Sequence, residues 1–164
     1  MSDKQQMYWF YQRDKLKLIE IDDKFKHFFF NPTIFNLKLH KGSVILYFFW
    51  YIFSLGRYRI LYIVDENFNT IAHYSHILPK IFKYSFMKKH EFQIANCYTD
   101  PKFRGERLFS FALSFIGESF SDHVIWVGTR DNNKASIKSI GRAGFKKALN
   151  VRKTSVFGIY KLNE

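Results

Sequence analysis

The spacing of apolar positions separates this chain into helices and short strands. A helix is predicted over residues 107–120, because five apolar side chains recur at the i, i+3, i+4 spacing of one helix face. These side chains are Leu108, Phe111, Ala112, Phe115 and Ile116. Short apolar or alternating runs bounded by turn residues predict five strands, at residues 58–64, 68–77, 90–99, 123–127 and 154–162.

A second helix is predicted after a loop at residues 128–132 and ends near residue 142. Asp131, Asn132 or Asn133 can cap its start, and Gly144 suits its C-terminal end. The resulting order is a helical start, then antiparallel hairpins, then β-α-β-α-β. That order indicates a mixed α/β fold.

The first third of the chain has a weaker pattern. Residues 7–19 and 25–30 carry aromatic anchors that fit either short strands or a helix, and residues 41–55 are predicted to be helical by their length. The apolar run at 43–56 is shorter than the roughly 20 residues that span a bilayer, so a buried or half-buried helix is expected. Basic residues at its ends leave open an interfacial helix on a membrane: Lys38, Lys41, Arg57 and Arg59.

The composition indicates one folded domain over residues 1–164, because 47% of the residues are hydrophobic and only 24% are charged. The formal net charge of +12 favours an anionic partner, such as nucleic acid, a membrane surface or a phosphorylated small molecule. The lone cysteine, Cys97, excludes an internal disulfide. With a polar start that lacks a signal-peptide pattern, this predicts a cytoplasmic protein.

The turn between the strand at 90–99 and the helix at 107–120 contains the most informative residues of the chain. It carries Lys102, Arg104 and Gly105 directly before the helix. A helix N-terminus offers N–H groups and a positive dipole, and a glycine lets the backbone approach a ligand closely. A strand, a basic glycine turn and a helix in this order therefore suit the binding of a pyrophosphate.

The segment PKFRGERLFS resembles the acyl-CoA loop of the GNAT superfamily of N-acetyltransferases. The matching residues are Pro101, Phe103, Arg104, Gly105 and Leu108. A second segment, NNKASIKSIGRAGF, resembles the later motif of the same family and places Asn133 and Ser136 at its Asn and small-residue positions. Both motifs occur in the expected order and spacing, and the resemblance covers roughly residues 57–149.

This resemblance implies a GNAT-like fold, with a central, mostly antiparallel sheet and flanking helices, and acetyl-CoA as the co-substrate without a metal. It also implies that the thioester lies between two central strands, where an N–H of residues 97–99 polarises its carbonyl. The implied donor-binding residues are Cys97, Tyr98, Thr99, Arg104, Gly105, Glu106, Arg107, Leu108, Phe109, Asn133 and Ser136. Similarity to enzymes of surface-polysaccharide synthesis implies an acceptor amine on a nucleotide-linked amino sugar.

Three positions depart from the family pattern. Arg107 and Phe109 stand where the family has glycine or another small residue, and Ile140 stands where many members have a tyrosine general acid. The candidates for acid–base chemistry are therefore His73 or His76 as a general base and Tyr160 as a reserve proton donor. Strand alternation sends the two histidines to opposite faces, which makes them a poor metal pair, and each is also typical of a satisfied core or surface residue.

Two other functions fit the sequence. A catalytically degenerate GNAT fold could bind CoA or RNA, although no RNA-binding motif accompanies the positive charge and nucleic acid is therefore disfavoured. The apolar run at 43–56 also fits a membrane-associated acyltransferase that uses a longer acyl chain. A homodimer stays open. The basic stripe Arg130, Lys134, Lys138 and Arg142 is either a solvated face or a contact to the CoA 3′-phosphate or a nucleotide acceptor.

Overall fold

The computed structural model of the protein describes residues 7–14, 18–33, 44–81, 83–154 and 158–162. Within those residues the fold consists of one eight-stranded sheet and three α-helices. The strands are β1 (Met7–Arg13), β2 (Phe25–Phe30), β3 (Arg59–Asp65), β4 (Thr70–Pro79), β5 (Phe92–Thr99), β6 (Ile125–Arg130), β7 (Phe145–Lys153) and β8 (Tyr160–Leu162). The helices are α1 (Val44–Phe53), α2 (Leu108–Ser119) and α3 (Lys134–Arg142), and a 3₁₀ turn spans Pro101–Phe103.

The strands follow the order β2-β3-β4-β5-β6-β1-β7-β8 across the sheet. Every neighbouring pair is antiparallel except β5 and β6, which run parallel. The first strand of the chain, β1, lies between β6 and β7 and pairs with both. The mixed α/β class and the mostly antiparallel sheet expected from the sequence are therefore confirmed.

Helices α2 and α3 cover one face of the sheet, here called the α2 side. Alternation along β3 buries Leu61 and Ile63 on this side and Ile60 and Tyr62 on the other. Helix α2 contributes its apolar face to the core of the α2 side, through Leu108, Ala112, Leu113 and Ile116. The helical period read from the sequence therefore identified Leu108, Ala112 and Ile116 of this face. It did not include Leu113, and the predicted Phe111 and Phe115 are only partly buried.

Helix α1 and the segment at residues 79–91 cover the other face, called the α1 side. Tyr47 of α1 packs against Tyr58 and Leu78 in one buried cluster. Ile81, Tyr84 and Met87 of the following segment form a second cluster with Phe10 and Trp126. Aromatic rings make up much of both clusters on the α1 side.

The structure corrects several predicted elements. Residues 7–13 and 25–30 form strands, and the helix predicted at 41–55 spans Val44–Phe53, with 41–43 outside the described residues. Strand β6 continues through Arg130, where a loop was predicted, because β1 pairs with it from the other end of the chain. The strand after α3 is β7, which the apolar pattern missed because a register shift and exposed lysines interrupt its alternation. Of the predicted strand at 154–162 only Tyr160–Leu162 is a strand, and 155–157 lie outside the described residues.

Candidate functional site

A cleft opens where β5 and β6 stop pairing. The two parallel strands pair only over Phe92–Ile94 and Ile125–Val127, although both continue for several residues. Beyond this point β5 keeps its pairing with β4 but shifts register, and Asn96 takes a left-handed conformation with φ 48°. This bulge increases the local twist of β5, and the strand ends next to the turn that leads into α2.

The cleft has a volume of about 480 Å³ and lies between the end of β5, the loop before α2 and one side of α3 along its length. It brings together most of the predicted site residues: His73, Cys97, Tyr98, Thr99, Arg104, Gly105, Arg107, Leu108, Phe109, Asn133 and Ser136. Four further residues complete the lining: Phe103, Ala135, Ser139 and Arg142. Of these, Arg142 was identified in the sequence only as part of the basic stripe on α3.

Three predicted site residues lie outside the cleft. The carboxylate of Glu106 turns away and lies 3.8 Å from the Lys24 ammonium. His76 lies on the α1 side of the sheet. Tyr160 stacks on Tyr84 at 5.3 Å in the second aromatic cluster, where burial raises the pKa of its hydroxyl.

Two helices begin at the cleft. No side chain caps the first turn of α2 within the described residues, so its N–H groups are available to an anion. Helix α3 is capped instead by Asn133, whose Oδ1 accepts a hydrogen bond of 3.1 Å from the Ser136 N–H. Both positive dipole ends therefore lie beside the cleft, together with the exposed Arg104 and Arg107. This arrangement suits a phosphorylated ligand.

The loop into α2 keeps a glycine-like backbone where the sequence has arginine. Arg107 has φ 59° and ψ 13°, a left-handed conformation that side chains with a Cβ adopt at a cost. Gly105, two residues earlier, also has a positive φ of 98°. Phe109, at the second departure from the family pattern, is partly buried with its ring centroid 5.9 Å from that of His73. The side chains of Arg107 and Phe109, which are larger than those of the family pattern, thus line the cleft while the backbone keeps the turn into α2.

Replacing Arg107 with glycine is expected to have opposite effects on stability and on binding. The free energy of unfolding should rise by about 1 kcal/mol, because glycine adopts the left-handed conformation without the steric cost. The affinity for pyrophosphate should fall about tenfold, because a charged hydrogen-bond donor is lost. Denaturant unfolding and calorimetric titration measure the two effects. Arg107→Lys, which keeps both the charge and the strained backbone, is the control, and a less stable Arg107→Gly would contradict the assignment of strain.

His73 is held between β4 and β5 by two hydroxyl groups. Its Nδ1 lies 2.7 Å from Thr99 Oγ1, and its Nε2 lies 2.8 Å from Ser75 Oγ. In the neutral ring one nitrogen donates and the other accepts, so both are occupied. Complete burial lowers the pKa of His73 to about 3, which keeps the ring neutral at physiological pH. The neighbouring Cys97 stays a thiol, because burial raises its pKa to about 12.

His76 lies in an aromatic environment on the opposite face of β4, as strand alternation predicted. Its ring stacks on Tyr47 at 5.6 Å and contacts Tyr58 and Tyr74. Burial lowers its pKa to about 4. Over the ranges that the structure describes, no group of three or more His, Cys, Asp or Glu side chains is arranged to hold a metal ion.

Ile140, at the family's tyrosine position, is fully buried in the core of the α2 side. It does not line the cleft, whereas the preceding residue, Ser139, does. An apolar side chain at position 140 therefore serves packing between α3 and the sheet. This position offers no proton donor to a ligand in the cleft.

Comparison with solved structures identifies the fold. The chain is similar to a GCN5-related N-acetyltransferase from Sphaerobacter thermophilus (TM-score 0.65, 9% identity, covering 90% of this chain and 50% of that one). It is also similar to a GNAT-family acetyltransferase from Colwellia psychrerythraea (0.60, 15%, 90% and 54%) and to a tandem GNAT protein from the clavulanic acid biosynthesis pathway (0.58, 11%, 88% and 51%). No protein-family model and no curated protein sequence matches the chain. The protein thus has the fold of GNAT acetyltransferases and spans about half the length of these three chains.

Proposed function

We propose that this protein is an acetyl-CoA-dependent N-acetyltransferase. The observation that supports this most is the cleft at the β5–β6 divergence, where both sequence motifs meet. It combines two helix N-termini with Arg104, Arg107 and Arg142, and no acidic side chain is among its described lining residues. Such a site fits the pyrophosphate and pantetheine of CoA, and the fold of the solved relatives supports the same donor.

In this proposal, two groups of residues hold the acetyl-CoA donor. The N–H groups at the start of α2, with Arg104 and Arg107, bind the pyrophosphate. Asn133 and Ser136 contact the adjoining pantetheine from the start of α3. The thioester then lies along residues 97–99, whose N–H groups polarise its carbonyl.

The transfer step needs few acid–base groups from the protein. The neutral acceptor amine attacks the thioester carbonyl, the new C–N bond forms, and the C–S bond breaks as the tetrahedral intermediate collapses. The proton lost by the amine nitrogen passes to the leaving CoA thiolate, directly or through water, so that CoA is released as a thiol. The protein contributes mainly proximity and backbone hydrogen bonds. We propose that neither His73 nor His76 acts as the base, because the low pKa of each ring makes it a weak proton acceptor above about pH 6. The ionisation of the amine then sets the pH dependence.

We further propose that the acceptor is the amino group of a nucleotide-linked amino sugar. The support is chemical: the chain carries a net charge of +12, and α3 presents the exposed Lys134 and Lys138 on the helix that also bears Arg142. A nucleotide diphosphate is an anion that such a surface attracts. A cytoplasmic location, where nucleotide-linked sugars are made, and a homodimer are parts of the same proposal. A panel of amines that includes nucleotide-linked amino sugars, each tested for CoA thiol release, would identify the acceptor.

CoA and acetyl-CoA are expected to raise the melting temperature of the protein, because a ligand that binds only the folded state stabilises it by mass action. Arg104→Ala should weaken CoA binding by about 1–3 kcal/mol, through the loss of hydrogen bonds to a phosphate. Thermal shift and calorimetric titration measure these effects. Lys102→Ala is the matched control, because Lys102 is another exposed cation, two residues away, that does not line the cleft.

The outcomes of this experiment separate the candidate functions. An unchanged melting temperature at millimolar CoA would remove the donor assignment. Binding of CoA without thiol release across the amine panel would instead favour a degenerate fold that binds without catalysis. Arg107, Phe109 and Ile140 are the departures that support this second candidate.

The variant Asn133→Asp shows whether Asn133 contacts acetyl-CoA or only caps α3. Aspartate caps a helix as well as asparagine does, so the free energy of unfolding should stay the same. A negative charge beside the phosphates should raise the Michaelis constant for acetyl-CoA about fivefold. Steady-state kinetics and denaturant unfolding test both parts, with Asn132→Asp as the control that places the same charge one residue outside the cleft lining. An unchanged Michaelis constant would leave Asn133 with the cap alone.

A further inference from the structure

Helix α1 is apolar on both of its faces. Its inner face packs on the sheet through Tyr47, Trp50 and Tyr51. The opposite face points away from the core and is called the α1 outer face. It consists of side chains at positions i, i+3, i+4, i+7 and i+8 of the helix and of one residue that follows the helix. Its members are Ile45, Phe48, Phe49, Ile52, Phe53 and Leu55.

The α1 outer face is exposed to an extent that is rare for large apolar side chains. Ile45 is 78% exposed, Phe49 is 53% exposed and Ile52 is 52% exposed. The rings of Phe49 and Phe53 pack against each other at 4.3 Å, which makes the surface continuous. A contiguous exposed apolar patch of this kind marks an interaction surface.

Exposed basic residues lie on the segments that adjoin α1 in the chain and in the fold. The chain contains no Asp or Glu between residues 24 and 90 except Asp65 and Glu66, which lie at the far end of β3. The exposed Arg57 follows α1, and Lys80, Lys88 and Lys89 are exposed on the segment at 79–91, which packs beside α1. The segments that adjoin α1 therefore carry exposed positive charge.

We propose that the α1 outer face docks on an anionic lipid bilayer, with α1 lying in the plane of the headgroups. The phenylalanine and isoleucine side chains enter the boundary between headgroups and acyl chains, and the surrounding lysines contact the anionic headgroups. This contact lies beyond the proposed transfer activity and does not depend on it. No helix in the described part of the chain is long and apolar enough to cross a membrane.

The charge around the surface also decides against a second copy of the chain as the occupant. A symmetric dimer places the same patch of each subunit against the other. The exposed Arg57 at the end of α1, with the cationic segments that adjoin the helix, would then approach the same charges of the other subunit, and like charges in contact are unfavourable. An anionic bilayer offers both an apolar layer and the opposite charge.

Vesicle flotation tests this proposal. The full chain should float with vesicles that contain about 30% phosphatidylglycerol, and about tenfold less with vesicles of phosphatidylcholine alone. The difference should shrink at high salt, which screens the electrostatic part. Absence of binding to either kind of vesicle would overturn the proposal, as would equal binding to both.

Substitutions assign the contact to the α1 outer face. The double variant Phe49→Ser, Ile52→Ser should bind anionic vesicles at least about tenfold more weakly, because two side chains no longer enter the bilayer. Lys80→Gln should weaken binding about fivefold. The matched control is Phe68→Ser, which removes a 71% exposed phenylalanine from the β3–β4 turn and should leave binding unchanged.

The folded state of each variant is checked by its melting temperature, which should not change, because all substituted side chains are exposed. Normal vesicle binding by the double variant would overturn the proposal. A second outcome would also overturn it: the wild-type chain self-associates, does not bind vesicles, and no longer self-associates in the double variant. The α1 outer face would then join two copies of the chain. Capture of an acidic protein without vesicle binding would likewise replace the bilayer as the partner.

Discussion

Acidification from pH 6.5 to pH 4 is expected to remove on the order of 6 kcal/mol of folding stability, about 3 kcal/mol for each of two buried histidines. Burial lowers the pKa of His73 to about 3 and that of His76 to about 4. In the unfolded chain both rings bind a proton near pH 6.5, whereas the folded protein excludes it. Stability is therefore complete above pH 6.5 and falls with pH, by about 1.4 kcal/mol per pH unit for each ring, until the folded pKa is reached.

Denaturant unfolding at several pH values between 7 and about 4.5 measures this slope. His73→Gln and His76→Phe should each reduce it by about 1.4 kcal/mol per pH unit, whatever their effect on stability at neutral pH. Comparison with the wild type cancels the contribution of the carboxylates, which all three proteins share. A wild-type slope that neither substitution changes would show that the two rings bind protons equally well in the folded and unfolded states.

The substitution Gly128→Ala is expected to destabilise the fold by about 1–3 kcal/mol, whereas Gly141→Ala should stabilise it by about 1 kcal/mol. A Cβ at position 128 would lie 2.7 Å from two carbons of the Phe10 ring. That ring cannot move freely, because Phe86 and Tyr160 pack against it at 4.8 and 5.3 Å. At position 141, in α3, a Cβ meets no atom within 4 Å, so alanine improves helix propensity there without a clash.

The two variants make the same chemical change, so their unfolding free energies isolate the close contact between β1 and β6. The double variant Gly128→Ala, Phe10→Leu should recover part of the loss, because the smaller side chain leaves room for the new methyl group. Equal effects of alanine at positions 128 and 141 would contradict the packing of Phe10 on Gly128. Such a result would also question the position of β1 between β6 and β7.

Local signals explain why the sequence predicted so much of the cleft. The helical period of α2 and the cap of α3 depend only on neighbouring residues. Helix α2 occurs where it was predicted, and Asn133 is the one of the three candidate residues that caps α3. The loop from Arg104 to Phe109 is likewise a short segment, and its glycine and basic residues indicate a turn with positive charge without reference to distant residues. The first motif follows β5 and runs into α2, and the second follows β6 and runs through α3. Because these elements are neighbours in one β-α-β-α unit, folding brings the residues of both motifs into one cleft.

Signals that depend on distant partners explain what the sequence missed. Strand β7 contains exposed lysines and a register shift, so its alternation is incomplete, and pairing with β1 and β8 defines it. Glu106 belongs to the loop motif, but Lys24, more than 80 positions earlier, lies near its carboxylate at 3.8 Å. Neither partner can be inferred from a local pattern.

The sequence by itself determined the α/β class, the two C-terminal helices and the glycine-containing basic loop before α2. Helix propensity, apolar periodicity and helix capping depend on residues that are close together in the sequence, so they can be read without knowledge of the tertiary structure. The tertiary structure alone decided the insertion of β1 between β6 and β7, the neutral state of His73 and His76, and the exposure of the α1 outer face. Burial and strand pairing are set by residues distant in the chain, so these properties exist only once the sheet and its helices have assembled.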